Sequence, residues 1–156
     1  MISNGFLPLS ASPRDMDATW KGPILTALDE SYELIGRILA KLVLGGLRSQ
    51  EIEARDVMPQ EAAIEGGSQH FLAATHWLRL EGLITAGGIY SDGRAWGVQL
   101  TSKGVAAIEK GTFNGPKASI RETVESKPDG SLGPDTYGKI GSFVGGLLGG
   151  FTQSAS

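Results

Sequence analysis

This chain contains no cysteine. That excludes disulfides, thiol nucleophiles and thiolate metal sites together, and it fits a reducing, cytoplasmic setting. A basic excess is missing as well, the formal net charge being -3. Dedicated nucleic-acid binders carry the opposite balance, because neutralising phosphates supplies much of their affinity. No apolar run reaches the length of about eighteen residues that a membrane-spanning helix needs. The opening stretch, MISNGFLPLSASPRDMDATW, has neither the basic start nor the continuous apolar centre of a signal peptide.

Several chemistries lack their motifs. There is no G-x-G-x-x-G, no Walker-type glycine loop and no G-x-S-x-G nucleophile elbow. His70 and His76 would lie about 120° apart around a helix. The positions four before and after each hold Gly66, Ala74, Leu72 and Leu80, so neither has an i, i+4 partner for zinc. Asp29, Glu30 and Glu33 gather at a helix start, where they complement its dipole without any catalytic role. No cofactor, no metal and no enzymatic activity are expected.

What is present has the composition of a single globular domain of 156 residues with tails. Residues 1–19 read as an N-terminal arm. In GPILTALDESYELIGRILAKLVLGG, Ile24, Leu28, Ile35, Leu39 and Leu42 recur at helical spacing, and Tyr32, Ile38 and Val43 widen the stripe. Pro23 suits the first turn and Gly45-Gly46 the stop. Ile52, Ala54 and Val57 then alternate with charges as a short strand, and Pro59 either ends it or opens a short helix. SQHFLAATHWLRLEGLI reads as a helix capped by Ser68, with Phe71, Thr75 and Leu78 on one face and Gly82 ending it before a strand at Leu83-Ile84.

Asp92-Gly93 between alternating residues signals a two-residue hairpin. Its register would pair Ser91 with Arg94 and Ile89 with Trp96. Trp96, Val98 and Leu100 would face the core, and Tyr90, Ala95 and Gln99 the other side. Thr101 or Ser102 caps a further helix that holds Val105 and Ile108 and stops at Gly111.

The succession WLRLEGLI, glycine-bearing hairpin, LTSKGVAAIEKG resembles the second half of a winged-helix (winged helix-turn-helix) domain of the MarR/PadR general type, over residues 24–111 or so. The resemblance implies an α+β, mostly helical fold with a two-stranded wing, spanning residues 20–111. It also implies that the helix of residues 68–81 is the one such domains lay in the DNA major groove. Carried onto this sequence, Gln69, His70, Ala73, His76 and Arg79 face outward, with Arg94 at the wing tip. These are the candidate contacts to DNA or to a protein partner.

The charge count weighs against DNA. Arg79, Arg94, Lys103 and Lys110 are nearly balanced by Glu81, Asp92 and Glu109, and residues 18–65 are acidic on balance. Trp77 is read as core, or otherwise as an exposed anchor for a protein, and Leu80 as facing outward. A non-enzymatic interaction module is therefore the first reading and a dimeric DNA-binding regulator the second.

Residues 112–135 read as linker, with a short helix across Ala118–Glu125. Residues 136–156 form a tail. On a helix, Ile140, Phe143, Val144, Leu147, Leu148 and Phe151 make one apolar stripe, and Gly141, Gly145 and Gly149 a row four apart. This G-x-x-x-G-x-x-x-G spacing lets helix backbones approach closely and resembles glycine-zipper segments. The six glycines between 137 and 151 cost about 5–6 kcal/mol of helix propensity relative to alanine. Such a helix forms only by docking: on a second copy, on another protein, on a membrane surface, or on the chain's own core. Self-association, or peripheral attachment to a membrane, is the function expected of it.

Overall fold

The computed structural model describes residues 27–59, 67–110, Phe113, 118–129 and 132–155, the last of these from 149 onward by backbone. The chain is α+β and mostly helical, with a small antiparallel sheet. Helix α1 (Ala27–Gly45) is followed by β1 (Gln50–Glu53), the single turn α2 (Ala54–Val57) and α3 (Ser68–Leu80). Then come β2 (Ile84–Thr85), β3 (Gly88–Tyr90) and β4 (Arg94–Leu100). Three helices complete the chain: α4 (Ser102–Ile108), α5 (Ile120–Glu125) and α6 (Pro134–Ala155).

The helical period of α1 emerges as expected: Ile35, Ile38, Leu39, Leu42 and Val43 are buried. Leu28 is not part of that face. It is 59% exposed, because the first turn of α1 runs past the edge of the packed helices. Gly46 closes the helix in the left-handed region, at φ 72°. Pro23, Ile24 and Gly111 lie outside the described residues.

The short strand ends earlier than its alternation implies. Only Ile52 of the three apolar residues is on β1, while Ala54 and Val57 are buried on α2. The switch is made by a capping box, in which Asp56 accepts from the Glu53 N–H at 2.8 Å. Ser68 does not cap α3, since Gly67 is already helical (φ -61°, ψ -29°) and has no side chain to do so. The buried face of α3 is as expected, with Phe71, Thr75 and Leu78 inside. The buried Thr75 hydroxyl is satisfied by the Phe71 carbonyl at 2.7 Å.

The junction from α3 to α4 interlocks two sequence motifs. Gly82, at φ 79°, ends α3, and its carbonyl accepts from the Thr101 hydroxyl at 2.5 Å. The same hydroxyl accepts from the Gly104 N–H at 3.0 Å, capping α4. Gly104 is required there because a side chain would collide with the Leu83 carbonyl.

β4 is the central strand, with β1 on one side and β2 and β3 in succession on the other. The hairpin is one residue longer than expected. Tyr90 pairs with Arg94, Ile89 with Ala95 and Gly88 with Trp96, around a Ser91-Asp92-Gly93 loop that ends with Gly93 at φ 90°. A bulge follows at Gly97 (φ 67°), where Trp96 and Gly97 of β4 lie opposite the single Glu51 of β1. Ala95, Val98 and Leu100 therefore face the core, and Trp96 is turned outward, 50% exposed. The expected core position of Trp96 is thus taken by Ala95.

Two segments beyond residue 111 join the same core. Ile120 and Val124 of α5 are fully buried under a Ser119–Glu122 capping box. Along α6, Tyr137, Ile140 and Val144 are buried. Its partner is α1, the most extensive helix–helix contact among the described residues. The two backbones meet at reciprocal glycines: a methyl on Gly36 would strike the Tyr137 carbonyl, and one on Gly141 the Tyr32 carbonyl. Arg37 seals the joint, its guanidinium 4.5 Å over the Tyr137 ring while pairing with Glu33 at 2.8 Å.

Candidate contact surface on α3 and the hairpin

Because Phe71, Thr75 and Leu78 point into the core, the opposite side of α3 is left to solvent. Gln69, His70, Ala73, His76 and Arg79 are all exposed, as the helical period requires. Leu80 stands among the most exposed large apolar residues, at 82%. Trp77 is half-buried and rests against the core cluster, so its ring is both packing and surface. Arg79 Nη2 lies 3.3 Å from His76 Nδ1, tying the two polar groups together.

The hairpin lies against the start of this helix. Gly93 approaches the Ser68 side chain, and its carbonyl accepts from the Ala54 N–H at 2.8 Å. The start of α3 is therefore close to the hairpin loop, while His70 lines a groove with Glu30, Glu33 and Arg37 of α1. Arg79, eleven residues after Ser68, sits roughly 16 Å further along the helix. The candidates are thus spread along α3, with Gln69 and His70 near its start and His76, Arg79 and Leu80 near its end, while Arg94 stands on the hairpin beside Asp92 and Tyr90.

Arg94 is not a free cation. Its Nε lies 3.0 Å from Asp92 Oδ2, and its guanidinium lies 5.6 Å over the Tyr90 ring. The hydrogen bond to Asp92 and the charge of Asp92 raise its pKa above the usual arginine value, and Glu51 and Glu53 add to the shift. A phosphate approaching Arg94 would have to displace one carboxylate and enter the field of two more.

The outward side of the hairpin carries Trp96 and Tyr90, the latter 44% exposed. The indole Nε1 donates to Tyr90 Oη at 2.6 Å, and the ring lies across Gly87 and Gly88, where any side chain would crowd it. Tyr90 is outward as expected, whereas Trp96 was expected in the core. The signal was Gly97, an isolated glycine inside a strand pattern, which marks a bulge and reverses the facing of Ala95 and Trp96.

The candidate residues of the tail divide. Ile140, Gly141 and Val144 are buried inside the chain itself, against α1 and its neighbours. Phe143, Gly145, Leu147 and Leu148 are half-buried, with Phe143 stacked edge-to-face on Phe113 at 5.4 Å. Gly149 and Phe151 continue the helix, and their side-chain surroundings fall outside the described residues.

Among the described residues, no three His, Cys, Asp or Glu side chains gather as a metal site requires, and no helix is long and apolar enough to cross a membrane. No family model, curated protein or solved structure matches the chain.

Proposed function

We propose that this chain is a non-enzymatic winged-helix module that binds protein, in the first instance a second copy of itself, through the outer face of α3 and the wing formed by β3 and β4. The winged-helix reading is supported by the order of elements from α1 to β4 and by β1 closing the sheet beside the wing. The observation that carries the function is the character of the outer surface. It presents Leu80, Trp96 and Tyr90 where a groove-binding protein would present lysines, and its wing arginine is already paired with Asp92.

Aromatic residues in such positions supply the anchors of protein interfaces. Arg79 stands at one end of this surface and Asp92, in the hairpin loop, at the other, so two copies related by a two-fold axis can match opposite charges. Close packing of α6 on α1 at Gly141 supports an intramolecular role for the start of the tail.

Sedimentation of the full chain over a wide concentration range tests the reading. Association that strengthens with concentration is expected, and Leu80→Glu or Trp96→Glu should each weaken it by about 30-fold or more with the circular dichroism unchanged. A monomer at every concentration contradicts it. In parallel, a labelled duplex should show no binding that falls steeply between about 50 and 200 mM salt. Salt-sensitive duplex binding lost on Arg79→Ala would install the DNA-binding regulator in its place.

A further inference from the structure

A largely apolar groove runs between α4 and α6. Val144, Leu147 and Leu148 line the α6 side, and Leu83 closes one end. On α4 the consecutive alanines Ala106 and Ala107 keep the opposite wall low, leaving a cavity of about 280 Å³. That is close to the lower end of small-molecule sites, roughly 300–1,000 Å³.

Its charge is one-sided. Lys103 and Lys110 are the charged residues of the lining, Lys103 on α4 and Lys110 two residues beyond its end. Lys103 Nζ spends one proton on the Glu81 carbonyl at 2.8 Å, which holds the ammonium at the groove and leaves its other protons available. Lys110 has no carboxylate within ion-pairing distance among the described residues, in a chain whose net charge is negative.

We infer that this groove binds a small anionic amphiphile, a medium-chain alkyl carboxylate, with the chain lying along Ala106 and Ala107 and the head group held by Lys103 or Lys110. The apolar walls disfavour a purely polar anion, and about 280 Å³ of groove accommodates a medium-length chain. The lysines set a preference for the carboxylate over the corresponding alcohol. The site is independent of the surface on α3.

Titration calorimetry of the full chain with decanoate, kept below its micelle-forming concentration, tests this. Saturable one-to-one binding is expected, with affinity rising about fourfold per methylene from hexanoate to decanoate. Decanol should bind about fivefold more weakly, and Lys103→Gln with Lys110→Gln should remove that difference. Ala107→Trp should abolish binding by filling the groove. Should that variant fail to fold, Ala106→Trp, on an exposed position of the rim, blocks the entrance without burdening the core. Absence of saturation, equal affinity for decanol and decanoate, or full affinity in a folded Ala106→Trp variant would each overturn the inference. So would attachment to phosphatidylglycerol vesicles without any binding of monomeric decanoate.

Discussion

Gly141→Ala is expected to lower the stability of the folded chain by about 2 kcal/mol or more, while Gly146→Ala, on the same helix, raises it by up to about 1 kcal/mol. The added methyl is the same and so is the gain in helix propensity, close to 1 kcal/mol in each case. The surroundings differ. At Gly141 the methyl meets backbone atoms of Tyr32, which cannot rotate away, so α6 must lift from α1 and take Ile140 and Val144 with it. At Gly146 nothing stands within 4 Å. Urea denaturation of the two variants and the parent chain gives both signs directly. Two stabilising substitutions would show that the close approach at Gly141 does not exist.

Removing residues 134–156 is expected to abolish the cooperative unfolding transition. Burial of Ile140 and Val144 accounts for roughly 3–6 kcal/mol. Tyr137 is a third buried side chain on the same helix. A whole domain is typically stable by only about 5–15 kcal/mol. The truncated chain would keep helical circular dichroism, because α1 and α3 retain each other, but it would bind a hydrophobic dye and melt without a sharp midpoint. A truncated chain with an unchanged sharp transition would reduce α6 to an appendage.

The two predictions turn on what glycine spacing can and cannot say. Gly141 and Gly145, four apart, announce that some backbone comes close to this face, and that much is legible in the sequence. Whose backbone it is depends on Gly36, a lone glycine in the apolar middle of α1 and more than a hundred positions away. Periodicity has no means of joining the two. The structure does so by setting Gly36 under Tyr137 and Gly141 under Tyr32.

Elsewhere legibility follows how local the cause is. The buried faces of α1 and α3 come from a repeating pattern, and the Thr101 cap comes from a hydroxyl three residues before Gly104, so both are readable. The hairpin register is set by Gly93 and by the bulge at Gly97, one residue each, and a single-residue slip reverses a whole face. That slip is why Trp96 was expected inside and is found outside, and the contact surface gains its aromatic pair from it. The candidates on α3 were carried over from the winged-helix resemblance, and their exposure follows the helical period. The pairing of Arg94 with Asp92, which argues against phosphate binding, depends on side-chain geometry that the pattern does not contain.

The account rests on a glycine-laden helix that owes its shape to α1 of the same chain. Amide hydrogen exchange in residues 140–144 tests this most directly, measured on the full chain without lipid and dilute enough to be monomeric. Protection there should match that of Ile35–Leu42 in α1, because the two helices can open only together. Exchange at the rate of an unstructured peptide across 140–144, with α1 still protected, would contradict it.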